Sequence, residues 1–205
     1  MKVIDVNSWN RKMHYEHFRQ LQDPYFGVVI PFDVTKAYEF STKNKIGFFV
    51  KYLHDCMKAI NAVDNFRYRI VEEQVVDFET INASATIARL DHTFGFSFIK
   101  YDTDLSVFIE NYKKEKHRIL NSDDLYPSNN GQDCIHCSAI PWFHFSGHKE
   151  PRSGNQKSIP ELAFSKVEIK DQKRMMNVSI NVNHALIDGY HVGLFAEKFQ
   201  YYLNQ

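Results

Sequence analysis

Cysteine is scarce in this chain of 205 residues, which carries only three. An odd and sparse set excludes a disulfide-stapled framework and points to a reducing interior. An excess of one charge is missing too. Lys plus Arg count 25 and Asp plus Glu count 25, so the formal net charge is zero. A neutral chain without a basic stripe lacks the field that nucleic-acid binders use. No apolar run approaches the ~20 residues of a membrane span. The first residues, Met1 to Asn7, enter a strand-like alternation without the apolar stretch of a signal peptide, so a cytoplasmic location is expected. Repeats, low-complexity tracts and an Ala/Pro-rich linker are also lacking, which leaves one domain over residues 1–205. Core material is plentiful: 43% hydrophobic and 15% aromatic residues exclude a disordered chain.

Periodicity gives a mixed order of elements. Ser8 reads as the N-cap of a helix over 8–22, followed by a strand over 25–34 and a short helix after Thr35. Phe49, Val50, Leu53, Met57 and Ile60 recur at helical spacing within 47–63. Short strands are read at 68–71, 74–78, 84–90 and 94–100. A helix over 104–120 follows, whose run Lys113-Lys114-Glu115-Lys116 reads as a solvated face. A loop over 121–133 precedes strands at 134–140, 143–146, 161–170 and 175–183, with a hairpin at 171–174 and a closing helix over 191–203. Hairpin-like strand spacing favours an α+β fold over alternating βαβ units.

The segment with chemical content is Asn183-His184-Ala185-Leu186-Ile187-Asp188-Gly189. Before it, Met176, Val178, Ile180 and Val182 alternate with Asn177, Ser179, Asn181 and Asn183, and His184 falls in phase with the apolar set. An imidazole on the buried side of a strand end is partly removed from water, and the neutral ring is the form a general base needs. A buried structural histidine would show the same pattern. Gly189 reads as a turn residue whose backbone other residues resist.

His184-Ala-Leu-Ile-Asp188-Gly189 resembles the His-x-x-x-Asp-Gly signature of the chloramphenicol acetyltransferase family, continued by Tyr190-His191-Val192-Gly193. Trp9-Asn10-Arg11-Lys12 resembles that family's first helix, and Phe66-Arg67 the segment after its long helix. Cys137-Ser138-Ala139-Ile140-Pro141-Trp142 resembles its Ser-Ala-x-Pro-Trp strand. The blocks occur in family order along nearly the whole chain.

The resemblance implies a two-layer sandwich: a largely antiparallel mixed sheet with helices on one side. It implies O-acetyl transfer from acetyl-CoA to chloramphenicol or a similar small acceptor, without a covalent enzyme intermediate. His184 would be the general base, Ser138 the oxyanion donor, and Asp188 would pair with Arg11 to fix the loop that aims His184. Lys166 and Trp142 would contact CoA. Phe18, Phe26 and Phe94 would line the acceptor wall. The assembly implied is a homotrimer with each site between subunits, the histidine coming from one and much of the wall from the next. No metal is expected. Departures from the pattern are Asn183 for the first of two histidines, Ala163 for a threonine, and Gly47 for a CoA-contacting lysine, with Lys45 close by. His17, Gln22, Pro24 and Ala83 also differ, and loop 148–158 is more polar than its counterpart. These leave two alternatives open: a same-fold acyltransferase with a different acceptor, or an inactive trimeric binding protein.

Cys134 and Cys137 form a C-x-x-C pair. On a strand, residues three apart face opposite ways and no second pair completes a zinc site, so neither a metal nor a redox role is read. His136, His144 and His148 alternate with aromatics and read as packing or surface, with a pocket lining as the alternative. Cys56 reads as a small core residue.

Overall fold

The computed structural model describes residues 1–129, 131–151 and 158–205. In chain order the elements are β1 (Lys2–Val3), α1 (Lys12–Phe18), β2 (Tyr25–Asp33), α2 (Thr35–Asn44), α3 (Phe48–Asn61), α4 (Asp64–Arg67), β3 (Tyr68–Val71), β4 (Gln74–Asp77), β5 (Asn82–Ala88), β6 (Phe94–Phe96), α5 (Leu105–Leu120), β7 (Cys134–Ile140), β8 (Glu161–Ser165), β9 (Glu168–Lys170), β10 (Lys173–Asn183) and α6 (Gly189–Leu203). The main sheet runs β2-β10-β8-β7-β5-β6, with β9 added to β10, and a small sheet runs β1-β4-β3. Pairings in the main sheet are antiparallel except β5 with β7 and β7 with β8. This is an α+β fold with a mixed, largely antiparallel sheet. Among the described residues no helix is long and apolar enough to cross a membrane.

Alternation along the strands decides which face meets the helices. Val178, Ile180 and Val182 of β10, Leu162 and Phe164 of β8, Ile135 and Cys137 of β7, and Ala83 and Ala85 of β5 are all buried in one core cluster. The same cluster holds α3 residues Leu53, Met57 and Ile60 and α6 residues Phe195 and Phe199. Each large side chain so buried stabilises the fold by about 1.5–3 kcal/mol. The intervening strand residues face away from the helices.

α3 is buried almost all round, beyond the one apolar face read from its sequence, and takes Lys51, His54 and Asp55 inside with it. The Lys51 ammonium lies 2.6 Å from the Asp55 carboxylate one turn on, which is what makes burial of either charge tolerable.

Several boundaries differ from the sequence reading for local reasons. Ser8 does not cap α1. Its hydroxyl donates to the Asp5 carboxylate, and residues 5–12 form consecutive tight turns, so the helix begins only at Lys12. Residues 143–146 form no strand. Their polar groups are met singly: Lys166 N donates to Phe143 O, while the Asn177 amide reaches the His144 ring and Phe145 O. The β9–β10 hairpin turns at Asp171 and Gln172, both left-handed at φ 49° and 63°, the geometry that a two-residue loop matches to strand twist. Gly189 has no left-handed backbone. It is the first residue of α6, and a Cβ there would meet nothing within 4 Å. Residues 152–157 of the polar loop over 148–158 lie outside the described residues.

Candidate active site

β10 delivers His184 one residue past its end, where the His184 N–H donates to Pro24 O at 2.8 Å and so prolongs the pairing with β2. The chain then closes a tight turn. Leu186 N and Ile187 N donate to Asn183 O, Ala185 N donates to the Asn183 side-chain oxygen, and the Asn65 amide holds Leu186 O. Asn183, which stands in for the first of two histidines, thus serves as the brace of this turn. Ala185, Leu186 and Ile187 are buried behind it.

The imidazole is held between two rings. Phe18 of α1 stacks on it at 3.9 Å between centroids and 8° from parallel, and Phe26 of β2 lies tilted at 4.6 Å. Phe26 pairs with Val182, so this cluster is on the helix-facing side of the sheet. Among the described residues, the buried His184 Nδ1 meets no hydrogen-bond partner, and neither do Asn183 Nδ2 and Arg11 Nε. Unpaired buried polar atoms are uncommon, and three gathered at one strand end set this place apart from an ordinary core histidine.

Arg11 ties the turn together. Its guanidinium donates to the Asp188 carboxylate and, at 3.4 Å, to His184 O. Asp188 also caps α6, accepting from Tyr190 N, while its own N–H donates to His191 Nδ1. Burial alone would raise the Asp188 carboxyl. The Arg11 hydrogen bond and the charges of His191 and Arg11 outweigh it and hold the group below its ordinary range. Burial pushes the His191 imidazole below its ordinary value, only partly offset by Asp188. His191 is a member of this network that the sequence reading passed over; its place three residues after an N-cap Asp is the signal for it.

Ser138 is elsewhere. It alternates with Ile135 and Cys137 of the core and therefore faces away from the helices, opposite Ala163 of β8, which is itself opposite Ser179 of β10. Five residues along β10 and two strand spacings separate it from His184, roughly 19 Å at about 3.3 Å per residue and 4.8 Å per strand. Ser138 lines a cavity of about 1580 Å³ together with Phe94, Trp142 and Lys166. The expected site residues are thus divided. Phe18 and Phe26 accompany His184 in the same chain, whereas Phe94, Lys166 and Trp142 accompany Ser138. Phe94 and Trp142 are exposed.

Groups of both signs line the cavity, with Asp23, Glu150 and Glu161 beside Arg89 and three lysines. Lys116, Lys149 and Lys166 line it, and ammonium groups bind phosphates. Lys116 comes from the run read as a solvated face, while Glu115 in that run accepts from Phe98 N. Gly47 opens α3 with an ordinary extended backbone and makes no demand for glycine. Cys134 and Cys137 fall in separate buried clusters, and the Cys134 thiol donates to Gly131 O. Burial raises the Cys137 thiol above its ordinary value, as it does Cys56. Among the described residues no three His, Cys, Asp or Glu side chains are grouped as a metal site. His136 lines the cavity; His144 is spent on Asn177, and His148 packs on Phe145 beside Glu150.

Comparison with known proteins extends these observations. The family model described as chloramphenicol acetyltransferase matches residues 1–200. A chloramphenicol acetyltransferase of Escherichia coli is 23% identical over 206 residues, covering 99% of this chain and 94% of the relative. A solved chloramphenicol acetyltransferase superposes with a TM-score of 0.87 at 24% identity, covering 98% of this chain and 99% of that one. The cubic core of a pyruvate dehydrogenase multienzyme complex shares the fold with a TM-score of 0.69 at 14% identity, covering 94% and 86%. With a family match over almost its full length, the chain belongs to the chloramphenicol acetyltransferase family and is an acyltransferase.

Proposed function

We propose that this protein transfers an acetyl group from acetyl-CoA to a hydroxyl of a small acceptor, chloramphenicol or a similar molecule, with His184 as general base and no covalent enzyme intermediate. The observation that carries the reading is the His184 imidazole, clamped by Phe18 and Phe26 and aimed by a turn that Arg11 and Asp188 anchor. His184 takes the proton of the acceptor hydroxyl as its oxygen attacks the thioester carbonyl. The tetrahedral intermediate collapses, the carbon–sulfur bond breaks, and the departing thiolate receives the proton from His184. Ser138 donates to the oxyanion; such a donor is worth about 3–4 kcal/mol. Lys166 and Trp142 contact CoA, and Phe94 forms part of the acceptor wall. Arg11 and Asp188 act through the turn as positioning residues.

A base and an oxyanion donor must reach the same reacting carbonyl, which one chain with these two residues on opposite sheet faces does not allow. A closed oligomer does, and the assembly proposed is a homotrimer with each site between subunits. His184 of one copy meets Ser138, Phe94, Lys166 and Trp142 of the next. Following CoA release from acetyl-CoA, with alcohols and thiols as acceptors, tests the reaction. Release that persists in His184→Ala would refute the base assignment, and a protein that binds acetyl-CoA but acetylates nothing would be a binding protein.

A further inference from the structure

α1 is a helix of seven residues with no side-chain cap at its start, no acidic residue in its first turn and a single buried residue, Tyr15. A helix so short does not hold itself together, so its place is set by what it touches. Arg11, Tyr15 and Phe18 recur at i, i+4 and i+7 and share one face. The two outer members serve the candidate base: Arg11 donates to Asp188 and to His184 O, and Phe18 stacks on the His184 ring. The middle member reaches elsewhere. Tyr15 is 2% exposed, its ring lies 6.1 Å from that of Trp9, and Trp9 in turn meets Tyr68 of β3. The Tyr15 hydroxyl donates to Glu73 O at 3.4 Å and accepts from Arg19 Nη1 at 3.2 Å, while Arg19 Nη2 donates to the Glu73 carboxylate. Glu72 and Glu73 form the two-residue loop between Val71 and Gln74, at φ 47° and 65°. Glutamate suits this left-handed region poorly; Gly or Asn is usual there. The hairpin behind the loop is fixed, since Val75 and Val76 of β4 are buried and Ile4 N donates to Val75 O.

We propose that Tyr15 is a positioning residue of the acyl-transfer site: tied to the β3–β4 loop through Glu73 and Arg19, it holds α1 where Phe18 lies flat on His184. This rests on the reading of His184 as general base. The Arg19–Glu73 pair is largely exposed at Glu73 and contributes little by itself. The buried Tyr15 ring supplies most of the hold, and its hydroxyl and the ion pair fix its direction. Backbone in an unfavourable conformation persists where its surroundings impose it, and the contacts from α1 converge on Glu73. Phe18 matters to the reaction through geometry. With Phe18 parallel to it and Phe26 tilted beside it, the imidazole cannot swing, and a general base must lie within hydrogen-bond reach of the proton it takes. A misplacement of about 1 Å at a reacting centre can cost about 10²-fold in rate.

The experiment reads the His184 ring by NMR in the full chain carrying isotope-labelled histidine, the signal that disappears in His184→Ala being that of His184. In the wild type the ring current of the stacked Phe18 should displace the His184 C–H signals upfield. Tyr15→Leu keeps an apolar group in the core and removes the ring and hydroxyl. Tyr15→Phe/Arg19→Ala keeps a ring and removes the side-chain hydrogen bonds to Glu73. Both should move the His184 signal towards that of an ordinary histidine, Tyr15→Leu further. In Tyr15→Leu kcat for CoA release should fall about tenfold with KM for acetyl-CoA little changed. Lys51→Met, which destabilises the core away from α1, should leave the signal and kcat of the folded protein in place. A wild-type signal at the ordinary position, one unmoved by both Tyr15 variants, or one moved equally by Lys51→Met overturns the positioning role. If Tyr15→Leu fails to fold, the double variant decides alone. A signal that moves while kcat stays overturns the bearing of Tyr15 on the reaction. Wild-type release that does not depend on His184 overturns the reading of the site itself, which the signal does not require.

Discussion

Ser138 and His184 stand on opposite faces of one sheet: Ser138 points away from the helices, and His184 lies with Phe18 and Phe26 on the helix side. Both belong to one site only if two copies of the chain build it. A His184→Ala subunit mixed with a Ser138→Ala subunit should therefore regain partial activity, since some clefts draw an intact residue from each partner. The partner variant must come from the Ser138 half. A change at Phe26 would damage the half that already carries His184, because Phe26 touches His184 of its own chain. Mixed oligomers formed by refolding and assayed for CoA release decide this; activity no higher than that of the parent variants would refute the shared site.

Replacing His184 with Ala should lower kcat by about 10²–10⁴-fold. The turn is fixed by backbone bonds to Pro24 and Asn183, so the fold and the assembly should survive. Retention of more than about a tenth of the activity, far above that range, would remove His184 from the mechanism.

Arg11 and Asp188 should behave as one unit in stability. Asp188→Asn and Arg11→Ala should each lower the melting temperature, and the double variant should be little worse than either. The pH dependence has a definite sign. A carboxyl held below its ordinary 3.8 contributes stability that is present above that value and lost as pH falls through the lowered one. The gap in melting temperature between wild type and Asp188→Asn should thus be full at neutral pH and close on acidification below 3.8. Full additivity in the double-mutant cycle would show that the two residues are not coupled.

The Lys51–Asp55 pair makes a contrasting case. Burial raises the Asp55 carboxyl to about 6, against the opposing pull of Lys51. A raised carboxyl costs stability as pH climbs from its ordinary 3.8 to about 6. Lys51→Met, which leaves Asp55 buried without its cation, should cost about 3–5 kcal/mol at pH above that range. The cost should shrink as pH falls towards about 6, because without the pull of Lys51 the Asp55 carboxyl takes up its proton above that value. Adding Asp55→Leu to Lys51→Met should restore most of the loss. Urea unfolding at one pH on each side of 6 reads both effects.

Periodicity and local chemistry determined much of this protein from the sequence alone. Strict alternation over 176–183 placed His184 on the apolar side, and the same alternation put Cys134 and Cys137 into separate clusters, as the structure bears out. Helical spacing found α3, and a run of turn residues found the loop before β7. These signals are carried by neighbours two to four residues apart, which is the range over which backbone geometry repeats. Local pattern did not show that Ser8 is consumed by Asp5, that residues 143–146 answer to Asn177 and Lys166, or that Gly189 opens a helix with ordinary torsions. Tertiary structure alone decided which partners meet across the fold: Phe18 on His184, Arg11 on Asp188, and Ser84, His136 and Glu161 in a single row. Sheet order and register set those meetings. A parallel β5-β7-β8 arrangement joins strands far apart in the chain, and no periodicity within a strand records which strand will lie beside it.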